Sequence, residues 1–214
     1  MGYAGGIARN LSWINMLEYE QKYWNAGKEF IAGVDEAGRG PLAGPVVAAA
    51  VIFPKGMVIE GVNDSKKLSE KKRAELFHSI YEKALSVGIG IVQHNVIDTI
   101  NILQASVLAM NNALARLNIT PQLVLADGNF FHHEKLPVEN IVKGDSLSHS
   151  IAAASIIAKV TRDEIMMELD AQFPEYGFAK HKGYGTIAHI EAIKKFGYSP
   201  IHRKSFHVES LELL

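Results

Sequence analysis

Phe30-Ile31-Ala32-Gly33-Val34-Asp35-Glu36-Ala37-Gly38-Arg39-Gly40-Pro41-Leu42-Ala43-Gly44-Pro45-Val46-Val47-Ala48-Ala49-Ala50-Val51-Ile52-Phe53 is the stretch that decides the fold class. Phe30 to Val34 and Val46 to Phe53 are short apolar runs rich in β-branched residues, the composition of buried strands. Between them Gly38 to Pro45 is a glycine and proline cluster, which predicts a tight loop with an exposed backbone. Two acids, Asp35 and Glu36, stand where the first run stops being apolar.

Outward from this pair, strands and helices alternate. Ser69 caps a charged helix running to about Ser86, Val87 to Val92 gives a strand, and Asn95 opens a helical stretch reaching Leu117. Leu123 to Ala126 is a buried strand ending at Asp127-Gly128, and Asn140 to Val142 a weaker one ending at Lys143-Gly144-Asp145. A long helix follows from about Ser148 to Asp170, and its patch Ala152-Ala153-Ala154-Ser155 permits close packing on a sheet. Thr186 caps a last helix, which Gly197 ends before Pro200. The order predicts an α/β domain with a mixed, largely sequential sheet flanked by helices. Upstream, residues 11 to 26 read as an amphipathic helix ended by Gly27, after a frayed start containing Gly2, Gly5 and Gly6. The expected division is an N-terminal helical extension over 1–28 and one domain over 29–214 with a C-terminal helical part.

Composition narrows the chemistry. The 214 residues contain no cysteine, so disulfides, thiolate zinc sites and a cysteine nucleophile are excluded, and any metal must bind oxygen or imidazole. No apolar run approaches the roughly 18 residues of a membrane span, and no signal core opens the chain, so no membrane association and a cytoplasmic address are expected. A net charge of -1 does not announce a nucleic-acid binder. The distribution does more. From Ala179 to Lys204, Lys180, Lys182, Lys194, Lys195, Arg203 and Lys204 face a single acid, Glu191, and on one surface they would neutralise phosphates.

Four carboxylates, Asp35, Glu36, Asp127 and Asp145, stand at the ends of predicted strands. In open α/β sheets, ligands gather outside the carboxyl ends of the strands, so residues remote in sequence converge there. Acids placed together repel and need a compensating cation. Hard oxygen donors suit Mg²⁺ or Mn²⁺, and two such ions would activate water for attack on a phosphodiester. This requires one position where a cation touches Asp35, Asp127 and Asp145 together. Consecutive strand residues point to opposite faces, so Glu36 ranks after Asp35 as a side-chain ligand. Taken singly, each acid has a plain structural reading: Asp-Gly is a common turn, and Asp145 suits a helix cap.

The run Gly33 to Val46 resembles the signature of type 2 ribonuclease H, the bacterial ribonuclease HII family. The likeness continues through Asp64-Ser65-Lys66-Lys67-Leu68, Ala126-Asp127-Gly128, Lys143-Gly144-Asp145, Ala152 to Asp163 and His181-Lys182-Gly183-Tyr184-Gly185-Thr186, from about residue 30 to 205. The resemblance implies a ribonuclease H-like fold with a C-terminal helical extension, and an acidic quartet at Asp35, Glu36, Asp127 and Asp145. It further implies hydrolysis of the RNA strand of RNA/DNA hybrids and incision 5′ to single ribonucleotides in duplex DNA, leaving 3′-hydroxyl and 5′-phosphate ends. Primer removal and ribonucleotide excision are the expected roles, performed by a monomer.

The same likeness selects substrate contacts. Gly38, Arg39 and Gly40 are candidates for reading the ribose, since glycines let a backbone approach the 2′-hydroxyl that marks RNA. Tyr184 matches the tyrosine that stacks on sugar at the RNA-to-DNA junction. Lys66 is a candidate phosphate contact. Lys159 and Asp163 form an i,i+4 pair and, with Arg162, read as helix support. His132 and His133 lack a third ligand and read as a surface loop. Trp13, Trp24 and Met110 read as packing, and no phosphate-cradling glycine motif is present. Two rivals share these acids: a phosphotransferase or phosphatase of small substrates, which does not need the basic, aromatic C-terminal stretch, and a non-catalytic hybrid-binding module, which leaves hybrid intact with Mg²⁺.

Overall fold

The computed structural model describes residues 15–206; Trp13, the glycine-rich start and the first turn of the expected N-terminal helix lie outside them. Five strands form one sheet: β1 (Ile31–Ala37), β2 (Val46–Ile52), β3 (Ser86–Val92), β4 (Leu123–Asp127) and β5 (Val138–Ile141), in the order β3-β2-β1-β4-β5. β1 runs antiparallel to β2 and parallel to β4, and β4 is parallel to β5. The sheet is therefore mixed, as expected. The main helices are α1 (Glu18–Asn25), α2 (Glu70–Lys83), α3 (His94–Ala115), α4 (His149–Gln172), the short α5 (Phe178–His181) and α6 (Ile187–Phe196).

β2, Val-Val-Ala-Ala-Ala-Val-Ile, is buried along its whole length. It reads as an unbroken apolar run because helices cover both faces. On one face Ala48, Ala50 and Ile52 meet α3 through Ala105, Ala109 and Met110. On the other, Ala49 and Val51 meet α4 through Ala152 to Ala158 and α2 through Leu76 and Ile80. The small side chains set how closely the layers approach. At Gly33 in β1 a Cβ would lie 2.1 Å from the backbone of Ser150, so α4 rests on the bare strand.

Three local features depart from the pattern read in the sequence. β1 does not stop before the acids; it continues through Asp35 and Glu36 to Ala37. β5 lies at Val138–Ile141, so Lys143 to Asp145 belong to a separate turn. α3 is broken at Asn101, whose φ of 66° lies outside the helical region, and the Asn101 carboxamide caps the second half by accepting from Gln104 N at 3.1 Å.

α1 packs into the domain rather than beside it. Leu17 and Trp24 join Ile31, Leu123, Leu125, Ile141 and Ile151 in one buried cluster. Trp24 and Met110 are thus packing residues. A separate cluster of Ala43, Met166, Tyr176, Phe178, Ala192 and Ile193 seats the C-terminal helices against the loop after β1 and the end of α4.

Candidate active site

β1 outruns its parallel neighbour. Its pairing with β4 ends at Val34 with Ala126, while its pairing with β2 continues to Ala37 with Val47. Asp35 and Glu36 therefore stand on a strand with one free edge. This answers the alternation problem in part: the strand has not ended, but beyond Val34 it has no paired strand on the β4 side. Asp127 is the last residue of β4, next to that edge. Asp145 comes from the turn Gly144–Ser146 after β5, reached through Lys143 in the left-handed region at φ 59°. Asp127 is tied to that turn, because its Oδ1 accepts from Gly144 N at 2.7 Å. Asp145 is not a helix cap, for Ser148 fills that place and accepts from Ile151 N.

The electrostatics are those of acids short of counter-charge. Asp35 is 5% exposed, and its carboxyl is held well above the usual range by burial first, then by Glu36, Asp127 and Asp145. Glu36 is raised by burial, against the pull of Arg39, whose Nη1 donates to its Oε1 at 3.3 Å. The other oxygen of Glu36, Oε2, is buried without a hydrogen-bond partner. Asp145 is raised by burial, then by Asp64 and Asp127. Burial works to lower the Lys66 ammonium, but Asp145, Asp35, Asp64 and Asp127 raise it overall. Lys66 is the cation that these acids share.

A cleft of about 580 Å³ opens on this cluster. Its walls carry Asp35, Glu36, Gly38, Arg39, Gly40, Lys66, Asp127 and Tyr184. Asp145 is not on the wall; its charge reaches Asp35 and Lys66 from the turn beyond β5. Among the described residues no group of three Asp, Glu or His side chains is placed to hold one ion, so the single position expected to touch Asp35, Asp127 and Asp145 together is not formed. The donor set nevertheless fits a hard divalent cation: oxygen ligands in mutual repulsion, with one buried carboxylate oxygen unpartnered. Coordination would have to close as an ion binds.

The residues expected to touch substrate share this cleft. Gly38 has a φ of +100°, and a Cβ there would meet Arg162 Nε at 2.1 Å, so only glycine fits. The Arg39 guanidinium lies 4.7 Å from the Phe130 ring as well as beside Glu36. Tyr184 is 45% exposed, and Gly40 stands 3.7 Å from its ring when given a Cβ.

Two arginines play parts other than those expected. Arg203, counted among the phosphate-facing charges, is 1% exposed. Its Nε donates to Gly44 O, its Nη1 to Arg39 O, and its Nη2 to Gly38 O and Pro45 O. Arg162, read as helix support, is equally buried and donates to Pro45 O, Lys182 O and Ala43 O. Both are backbone clamps on the Gly38–Pro45 loop. The fork of five donors suits a loop of unpaired carbonyls, yet in sequence each looks like a helix or surface charge. Lys180, Lys194, Lys195 and Lys204 remain exposed, whereas Lys182 Nζ turns back onto Ala179 O.

Lys159 pairs with Asp163 at 2.7 Å, the expected i,i+4 contact, and also lines the cleft. His133 accepts from Lys135 N and Leu136 N, a turn role. Asp64, the first residue of the motif Asp64 to Leu68, is a further acid beside the quartet. It caps the turn Ser65–Lys67 and adds its charge beside Asp145. Ser65 Oγ lies 2.7 Å from Ser155 Oγ, which ties that motif to α4.

Comparison with known proteins gives a consistent picture. A family model described as Ribonuclease HII matches residues 32–209. Ribonuclease HII of Ruminiclostridium cellulolyticum is 58% identical over 191 residues, covering 89% of this chain and 75% of that protein. Ribonuclease HII of Acholeplasma laidlawii is 55% identical over 193 residues, covering 90% and 95%. The crystal structure of the ribonuclease H2 from Pyrococcus horikoshii superposes with a TM-score of 0.70 at 29% identity, over 83% of this chain and 94% of that one.

Proposed function

The chain belongs to the ribonuclease HII family, metal-dependent ribonucleases H acting on RNA/DNA hybrids, and from that premise we propose that it also cuts 5′ to single ribonucleotides in duplex DNA. The products are 3′-hydroxyl and 5′-phosphate ends. The observation that carries the reading is the single cleft shared by Asp35, Glu36 and Asp127 with Gly38, Arg39, Gly40 and Tyr184.

Asp35, Glu36, Asp127 and Asp145 are the residues that would hold Mn²⁺ or Mg²⁺, two ions in this proposal. Bound there, the ions supply water activation and neutralise charge on the departing oxygen. The protein contributes the rest. Gly38 to Gly40 bring backbone close to the 2′-hydroxyl, and Tyr184 offers a flat surface to the sugar at the RNA-to-DNA junction. Lys66 approaches the phosphate as a point charge. The exposed lysines of the C-terminal part extend the contact along the duplex. The enzyme acts as a cytoplasmic monomer in this proposal; among the described residues no helix is long and apolar enough to cross a membrane.

A duplex with one ribonucleotide, incubated with Mn²⁺, with Mg²⁺ or with chelator, tests the proposal, with Asp145→Asn as control. Incision 5′ to the ribonucleotide, dependent on the ion and lost in the variant, is expected. Binding without cutting would favour a hybrid-binding module, and hydrolysis of small phosphate esters alone would favour a phosphatase.

A further inference from the structure

The backbone of Tyr184 rests on a buried group of imidazoles that the proposed chemistry does not use. His189 and His202 are 0% and 1% exposed. His189 Nδ1 lies 2.9 Å from Tyr184 O, which can only accept, so this nitrogen carries the proton. His202 Nδ1 lies 2.8 Å from Ser199 N, which can only donate, so this nitrogen is bare. A neutral imidazole carries one proton, so the Nε2 of His189 is bare and the Nε2 of His202 is protonated. The 3.0 Å separation of these two nitrogens is then a hydrogen bond of one possible direction. The order of donation runs from Ser199 to His202, to His189, to the Tyr184 carbonyl.

His181 completes the support. Its Nδ1 accepts from Gly183 N at 3.2 Å, and its Nε2 is left to donate to Tyr176 O at 2.8 Å. Its ring stacks on His189 with centroids 4.4 Å apart. Burial holds both His189 and His202 at about 4, so they are neutral at physiological pH. The relay ends at the residue whose ring forms the cleft wall beside Gly40.

We propose that His189 and His202 are positioning residues for Tyr184, a one-way relay that fixes its backbone and keeps its ring on the cleft wall. The proposal rests on the reading of Tyr184 as a substrate contact. It predicts an effect on recognition of the RNA-to-DNA junction, leaving the hydrolytic step alone.

Two isosteres separate the ends of the imidazole. In His189→Gln the amide reaches the Nε2 position and keeps a partner for His202, but the donor to Tyr184 is lost. In His189→Asn the amide sits near Nδ1 and retains that donor. KM and kcat are measured on a duplex with one ribonucleotide, and affinity for the same fluorescent duplex by anisotropy without metal. His189→Gln is expected to raise KM roughly tenfold, the equivalent of one hydrogen bond, with kcat nearly unchanged. His189→Asn is expected to recover most of that loss. In a Tyr184→Ala background His189→Gln should add nothing further. Equal KM values for the two isosteres, or an undiminished effect without the tyrosine ring, overturn the proposal. If His189→Gln fails to fold, His202→Phe takes its place: KM should rise, and only while Tyr184 is present, and an unchanged KM overturns the proposal. A wild-type protein that binds the duplex without cutting it defeats the proposed function instead, and the anisotropy series still judges the relay.

Discussion

Glu20 Oε1 accepts from Ser148 Oγ at 2.7 Å, joining α1 to the N-cap of α4 across 128 residues of chain. The same oxygen accepts from Ser150 N and Ser150 Oγ. Ser148 in turn donates its N–H to Gly144 O, closing the turn that carries Asp145. Removing Glu20 leaves buried donors without a partner. Glu20→Ala is expected to lower stability by about 2–3 kcal/mol in urea titration, and to weaken activity through the Asp145 turn. Unchanged stability and activity would show that α1 does not brace the Asp145 turn.

Asp35 is a carboxyl that folding buries among other acids. Its pKa is raised in the folded state, so the charged carboxylate that prevails in the unfolded chain at neutral pH is disfavoured on folding. Asp35→Asn is therefore expected to raise the Tm of the protein in chelator while lowering hydrolysis roughly a thousandfold, the scale of a lost electrostatic contact in a reaction site. Added Mn²⁺ should raise the wild-type Tm more than that of the variant. A variant that loses both stability and activity would mean Asp35 is a structural residue.

Arg203→Lys keeps the charge and removes the fork. A lysine cannot serve Gly38, Arg39, Gly44 and Pro45 carbonyls together, so a loss of about 3 kcal/mol and a raised KM are expected. Calorimetry and steady-state kinetics on the ribonucleotide duplex check this. Full retention of both would mean that charge alone matters there.

His149 offers a clean pH test, since burial alone lowers it, to about 4. Its Nε2 accepts from Ile59 N at 3.1 Å. A lowered folded-state pKa means that the unfolded chain binds the extra proton. The neutral ring's contribution is complete above about 6.5 and is lost as pH falls toward about 4, up to about 3 kcal/mol. His149→Gln retains an acceptor and does not titrate. The stability of wild type relative to this variant should therefore shrink over that window, and a constant difference would rule the account out.

Much of the fold lay open in local sequence. The alternation of apolar runs with capped helices marks the strands, because β2 and β4 are covered on both faces and read as continuous apolar runs. Ser69, Ser148 and Thr186 cap α2, α4 and α6 through their own hydroxyls, a short-range rule. The family signature brought the candidate site residues together, and several of them share one cleft. What escaped depends on partners far away in the chain. The overhang of β1 past β4 depends on where a strand some ninety residues later stops. The break at Asn101 looks like uninterrupted helix, since asparagine gives no warning as glycine or proline would. Arg162 and Arg203 could be read as clamps only once the loop carbonyls they serve had been located.

The bond from Arg203 Nη2 to Gly38 O spans 165 residues. During synthesis the ribosome delivers all four acids well before it delivers this guanidinium. A nascent or prematurely terminated chain that stops short of Arg203 holds every candidate metal ligand and still lacks the brace for its Gly38–Pro45 loop. The fold thus leaves the Gly38–Pro45 loop without this brace until Arg203 has been made.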